Sequence, residues 1–143
     1  MRQIAIAVAA ALAAALSPAF AAEPTKDELL AELRRQIAGR EQEPAEAVFK
    51  DIQLMKGRTA EQLLATMDLG FSRSLGVDCA HCHDTKDWAG DAKKTKSVAR
   101  EMILMTREIN AKLKTIEGIE SNPPVINCTT CHRGKKKPAV SLD

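Results

Sequence analysis

The chain has 143 residues, and its 21 Lys and Arg against 19 Asp and Glu give a formal charge of +2, without the basic excess of a nucleic-acid-binding domain. Apolar residues make up 45% of it, yet aromatics are only 3%, with three Phe, one Trp and no Tyr. Such a composition has few large side chains with which to close a core, so it excludes a large core filled by the chain alone and leaves room for a filler of another kind.

Residues 1–21, MRQIAIAVAAALAAALSPAFA, place one Arg before an uncharged apolar run and end on Ala19-Phe20-Ala21. This is the pattern of a secretory signal peptide cut after Ala21, and the run is short for a bilayer span. The mature chain would then hold 20 basic and 19 acidic groups, since Arg2 leaves with the leader. No cysteine follows the cleavage point as a handle for lipid attachment, so a periplasmic protein with no stable membrane insertion is expected.

Thr25 and Glu28 form a capping box ahead of Leu29, Leu30, Leu33 and Ile37, predicting an amphipathic helix over 25–38 that ends at Gly39. Residues 22–43 are read as this helix and its linker, and 44–143 as the main domain. A second helix is predicted over 45–56, with Val48, Ile52 and Met55 on one side and Gly57 after it. Thr59 and Gln62 repeat the capping box, and Leu63, Leu64, Met67, Phe71 and Leu75 recur at helical spacing until Gly76. This third helix delivers the chain into Cys79. Residues 84–96 read as an exposed loop kept soluble by Lys93, Lys94 and Lys96. A fourth helix, over 97–114, carries Val98, Met102, Met105, Ile109 and Leu113 on one stripe, and Asn122-Pro123-Pro124 breaks the chain ahead of Cys128. No alternating run flanked by turns occurs, so the expected fold is all-α, built from a repeated unit: a helix bearing methionine, a turn, and a Cys/His motif.

Those motifs, Cys79-Ala80-His81-Cys82-His83 and Cys128-Thr129-Thr130-Cys131-His132, use all four cysteines and two of the three histidines. Two thiols three residues apart with an imidazole beside the second is the spacing of covalent c-type haem attachment: one short turn lets both sulfurs reach the macrocycle while the adjacent His binds iron. Two disulfides, a redox dithiol or one zinc on four thiols would each leave both histidines without a role. The reading is therefore two covalently attached haems, held by Cys79 and Cys82 and by Cys128 and Cys131, with His83 and His132 as proximal iron ligands.

The sixth ligands follow from inventory. His81, inside its own attachment turn, is the one histidine left, so a bis-histidine pair at both irons is excluded. The other soft neutral donors of the mature chain are Met55, Met67, Met102 and Met105. Met67 lies 12 residues before Cys79 on the helix that enters the first motif, and is read as its distal ligand over ordinary core packing. For the second motif Met102 and Met105, three apart on one helix face, stay open on spacing alone.

The stretches AVFKDIQLMKGRTAEQLLATMDLGFSRSLGVDCAHCH, AREMILMTREIN and CTTCHRG resemble the cytochrome subunit of photosynthetic reaction centres and its smaller exported relatives, over about residues 45–138. In that family each attachment motif follows a helix that supplies a methionine ligand. The resemblance therefore implies Met67 for the first haem and Met102, rather than Met105, for the second. The reaction-centre subunit carries four haems, one with a histidine sixth ligand, and this chain with two motifs resembles one half of it.

His/Met ligation leaves iron no open position and raises its potential, so the expected function is one-electron transfer between redox protein partners, a photosynthetic reaction centre or a respiratory complex among them. Two macrocycles would also replace the missing aromatic area of the core. The alternative is a haem enzyme or a peroxide- or gas-binding protein in which one iron lacks its methionine. Arg133-Gly134-Lys135-Lys136-Lys137 is a candidate basic contact for an acidic partner, set against its reading as a solvated tail.

Overall fold

The computed structural model describes residues 23–141. The leader expected over 1–21, with its cleavage after Ala21, lies outside them. The described chain is helical, with α1 at Lys26–Gln36, α2 at Ala45–Val48, α3 at Ala60–Ala65, α4 at Arg73–Leu75, α5 at Lys94–Leu113 and α6 at Cys128–His132. Among the described residues there is no strand, only two isolated bridges, Pro44 with Thr59 and Asp84 with Asp87. No described helix is long and apolar enough to cross a membrane.

Both predicted capping boxes form. Thr25 and Thr59 accept from the backbone N–H groups of Glu28 and Gln62, whose side chains accept in return from the cap N–H groups. Each box satisfies two orphan donors at a helix start and so fixes where α1 and α3 begin. The apolar faces that follow meet. Leu33 and Ile37 pack on Ala60 and Leu64, with Val48, Phe49 and Trp88 against the cluster. Arg34 holds Glu61 at 3.0 Å and Lys26 holds Asp68 at 2.7 Å across the same contact. Among the described residues, the buried apolar side chains, Leu30, Leu33, Ile37, Ala45, Ala60, Leu63 and Leu64, all come from the first half of the chain.

Two expectations are corrected. The helix predicted over 45–56 stops at Val48, because Phe49 is extended and Asp51 takes a left-handed φ of 60°. Asp51 is held there by Gln53, Lys96 and Arg100, so a long-range charge contact overrides the apolar periodicity that followed it. The helix predicted to run unbroken to Gly76 instead passes through a π-helical segment, Thr66–Ser72, between α3 and α4. Thr66 Oγ1 donates back to the Gln62 carbonyl at 2.7 Å, a bond that bends helices, and Gly70 lowers the cost of irregular backbone one turn later. Such segments are rare and concentrate at functional sites. This one carries Met67.

Candidate functional site

Between α1, the 49–55 segment, the π segment and α5 lies a cavity of about 540 Å³. This size falls in the range of about 300–1,000 Å³ seen for cofactor sites. Its wall includes Met67 and Phe71 of the π segment, Cys79, Cys82 and His83 of the first motif, and Trp88. The four residues read from the sequence as thiol anchors, proximal ligand and distal ligand of one site thus line one cavity. His81 is not in its wall. Its carbonyl instead accepts from Thr95 Oγ1 at 2.6 Å.

The chain reaches this geometry by local means. Gly76, with φ of 66°, ends α4. The Asp78 side chain then accepts from the His81 N–H at 3.1 Å and starts a single 3-10 turn, Cys79–His81, that brings the two thiols to the cavity wall. Burial raises the pKa of the Cys79 and Cys82 thiols, with the Asp78 charge adding to the effect at Cys79. His83 gives its Nδ1 to the Trp88 carbonyl at 3.0 Å, and its ring lies 5.4 Å from the Trp88 ring. A carbonyl can only accept, so Nδ1 carries the proton and Nε2 keeps its lone pair free, the tautomer a metal ligand needs. Burial lowers the His83 pKa further toward the neutral form.

The first turns of α5 clamp this loop. Lys93 Nζ donates to the Ala80 carbonyl, and Lys96 Nζ reaches the carbonyls of Trp88, Ala89 and Gly90 at 3.3, 2.7 and 3.0 Å. Lys96 also meets Asp51 and Asp91, each at 3.1 Å, and Arg100 meets the same two carboxylates. Lys96 is therefore not a solubilising loop residue: its side chain is 11% exposed. The sequence reading missed this network because Asp51 lies 45 and 49 residues from Lys96 and Arg100 and each member alone looks like a surface charge.

Helix α5 has two faces. Lys96, Ala99, Arg100 and Ile103 line the first cavity. At 3.6 residues per turn Val98, Met102 and Met105 fall on the opposite side, and these are 54%, 43% and 44% exposed. The second motif forms α6, capped by Asn127 through a reciprocal bond with Thr130. His132 Nδ1 meets the Lys135 carbonyl at 3.0 Å, which sets the same tautomer as in His83. Cys128 and His132 are half-buried and Cys131 is exposed. Neither these residues nor Met102 and Met105 line the cavity that holds the first set. Among the described residues, no three His, Cys, Asp or Glu side chains converge as a metal site, so the four thiols do not meet as a zinc centre.

Four contacts unseen in the sequence fix where the second motif sits. Ser74 and Thr129 share a hydroxyl bond of 2.6 Å, and Gly134 N–H donates to the Ser74 carbonyl at 2.8 Å. Gly76 lies so near Gly134 that a Cβ there would stand 2.1 Å from the Gly134 oxygen. Asn110 of α5 exchanges two bonds with the Ile126 backbone, at 2.7 and 2.9 Å, tying down the segment that enters α6. The second motif is thereby docked on the end of the helix that leads into the first.

The donor set fits c-type haem at the first motif on three grounds: paired thiols in one turn, a histidine held in the ligand tautomer, and a thioether in the wall of the same cavity. At the second motif the thiols and the oriented histidine are present, and an apolar methionine-bearing face stands on α5.

A family model described as photosynthetic reaction centre cytochrome C subunit matches residues 8–142. The match extends past the 45–138 stretch on which the resemblance was read, and takes in α1. A photosynthetic reaction center cytochrome c subunit of Roseobacter denitrificans is 32% identical over 128 residues, 84% of this chain and 33% of that protein. The subunit of Rubrivivax gelatinosus is 32% identical over 94 residues, 57% and 25% of the two chains. Cytochrome c-554 of Chloroflexus aurantiacus is 30% identical over 83 residues, 57% and 20%. The chain thus spans a fifth to a third of the length of these relatives.

Proposed function

The chain belongs to the photosynthetic reaction centre cytochrome c subunit family, and from that premise we propose that it is a periplasmic dihaem cytochrome c that carries single electrons between redox proteins. The observation that carries the reading is the cavity shared by Met67, Cys79, Cys82 and His83, with the histidine held by the Trp88 carbonyl. Cys79 and Cys82 would take the two thioether links of the first haem, His83 Nε2 the proximal position and Met67 the distal one. Cys128, Cys131 and His132 would hold the second, with Met102 assigned as its distal ligand on the family resemblance. When bound, such a haem supplies a one-electron iron couple and, between imidazole and thioether, no coordination position for a substrate.

The residues around the site serve that use. The Trp88 and Lys135 carbonyls hold each histidine in one tautomer and orientation, so the ligand need not rearrange between oxidation states. Helix α5 lines the first cavity with one face and presents methionines on the other, so a single rigid element borders both sites. The Ser74–Thr129 and Gly76–Gly134 contacts fix one motif on the other, as exchange of electrons between two centres requires. The exposed Arg133 and Lys135 to Lys137 adjoin the second motif and would steer an acidic partner toward it. A photosynthetic reaction centre is the class of partner the family membership supports, and a respiratory complex is the other candidate.

Optical and near-infrared spectra of the oxidised and reduced protein test the reading. Low-spin iron with a sulfur-to-iron charge-transfer band at both centres, unmoved by carbon monoxide or cyanide, is the expected result. A high-spin component that shifts with either ligand would replace the carrier with a haem enzyme or gas-binding protein.

A further inference from the structure

Lys96 belongs to neither motif, yet its side chain is 11% exposed beside the first. Its ammonium has five oxygens within 3.3 Å: two carboxylates, from Asp51 and Asp91, and the carbonyls of Trp88, Ala89 and Gly90. An ammonium has three protons, so this is a crowded, oxygen-lined seat rather than a surface contact. One of the five oxygens is the Trp88 carbonyl, the same atom that takes the His83 Nδ1 proton at 3.0 Å. The histidine and the lysine therefore share one acceptor.

That sharing has a direction. A carbonyl that accepts strongly from Nδ1–H pushes electron density onto the imidazole and makes Nε2 a better donor. A cation on the same carbonyl withdraws density, weakens the bond from Nδ1–H and lowers the donor strength of Nε2. It also sets a positive charge beside the site. Both effects favour the metal with one electron more. Arg100 and the two aspartates leave the four-residue cluster neutral, two charges of each sign, so it is removal of Lys96 that exposes a net negative charge beside His83.

We propose that Lys96 is a positioning residue that sets the reduction potential of the first haem alone, by sharing the Trp88 carbonyl with His83. The inference rests on the haem reading above. Nothing equivalent stands at the second motif, where the Lys135 carbonyl accepts from His132 and among the described residues no side-chain ammonium is bonded to that oxygen. The cluster thus acts on the first site and not on the second, and raises the first in potential.

The test is a redox titration of the exported, purified protein in wild-type, Lys96→Gln, Lys96→Met and Lys96→Arg forms, following both centres. Wild type should give two one-electron waves. Lys96→Met should move one wave to lower potential by about tenfold in the reduction equilibrium, which is about 59 mV. Lys96→Gln should move the same wave in the same direction by less, since its amide can still donate to a carbonyl. Lys96→Arg should restore the wild-type value, because charge and donors return. The second wave and the sulfur-to-iron band should stay in place in all four. Two unmoved waves in the folded Gln and Met variants would overturn the proposal, as would an equal shift of both waves or a shift that Lys96→Arg fails to restore. If Lys96→Met does not fold, Lys96→Gln against Lys96→Arg decides alone. A wild-type protein with no redox wave would remove the haem reading itself, a separate outcome.

Discussion

Replacing Gly76 by Ala tests how the two motifs are held together. Gly76 has φ of +66°, and a Cβ added to it would stand 2.1 Å from the Gly134 oxygen and 3.1 Å from the Gly134 carbonyl carbon. Real contacts of a Cβ essentially never fall under 3.0 Å, and here both atoms are backbone, so the two segments must part by about 1 Å. Parting them breaks the Gly134 N–H bond to Ser74 and the Ser74–Thr129 hydroxyl pair, and leaves the buried Ser74 hydroxyl with only its 3.4 Å bond to the Leu69 carbonyl. Gly39 is the control, since it has φ of +81° and nothing within 4 Å of the added Cβ. Both variants carry the left-handed cost of about 1–2 kcal/mol. Gly76→Ala adds two lost hydrogen bonds, for a total of about 2–5 kcal/mol. Guanidinium unfolding of the mature protein, followed by far-ultraviolet circular dichroism, gives both differences directly. Equal losses for the two variants, within about 0.5 kcal/mol, would refute the claim that α6 is seated against the end of α4.

Met67→Ala should keep the haem attached but lower the potential of one centre and admit carbon monoxide to it, read by difference spectra; an unchanged spectrum would take Met67 out of the ligand set. Met102→Ala and Met105→Ala should differ at the second centre, with only the first losing a sulfur-to-iron band, and the reverse result would move the ligand to Met105. Asn110→Leu should cost about 1–3 kcal/mol by orphaning the Ile126 backbone groups and should speed hydrogen exchange at the Ile126 amide. Acid should loosen the charge cluster in a defined window. Hydrogen bonds from Arg100 and then Lys96 lower the Asp91 pKa to about 2, from 3.8 in the unfolded chain, and Asp51 is shifted the same way by Gln53 and then Lys96. A carboxylate with a depressed folded pKa stabilises above its unfolded value and loses that contribution as pH falls toward the folded one. Stability should therefore decline between about pH 4 and 2, and less so in Asp91→Asn, as measured by denaturant midpoints across pH.

What was legible in the sequence was what a few neighbouring residues decide. Thr25 with Glu28 and Thr59 with Gln62 fix helix starts by bonds that span three residues, and each Cys-x-x-Cys-His is complete in five. The 45–56 helix and the unbroken third helix failed for the opposite reason. Asp51 bends to reach Lys96 and Arg100, which lie on a helix 45 or more residues later, and periodicity cannot report a partner that distant. Met67 was singled out as a ligand candidate from its distance to Cys79, but the π segment that carries it left no signature beyond Thr66 and Gly70, residues common in ordinary helices. The docking of the second motif was hidden entirely, since Gly76 reads as a helix end and Gly134 as part of a basic stretch, and their approach exists only in the fold.

Intact mass of the protein, exported by a host that matures c-type cytochromes, tests the central claim most directly when combined with peptide mapping. The expected species begins after Ala21 and carries two haem masses, one on the peptide with Cys79 and Cys82 and one on the peptide with Cys128 and Cys131. A colourless protein of bare polypeptide mass, with its thiols free or bound to zinc, would contradict it.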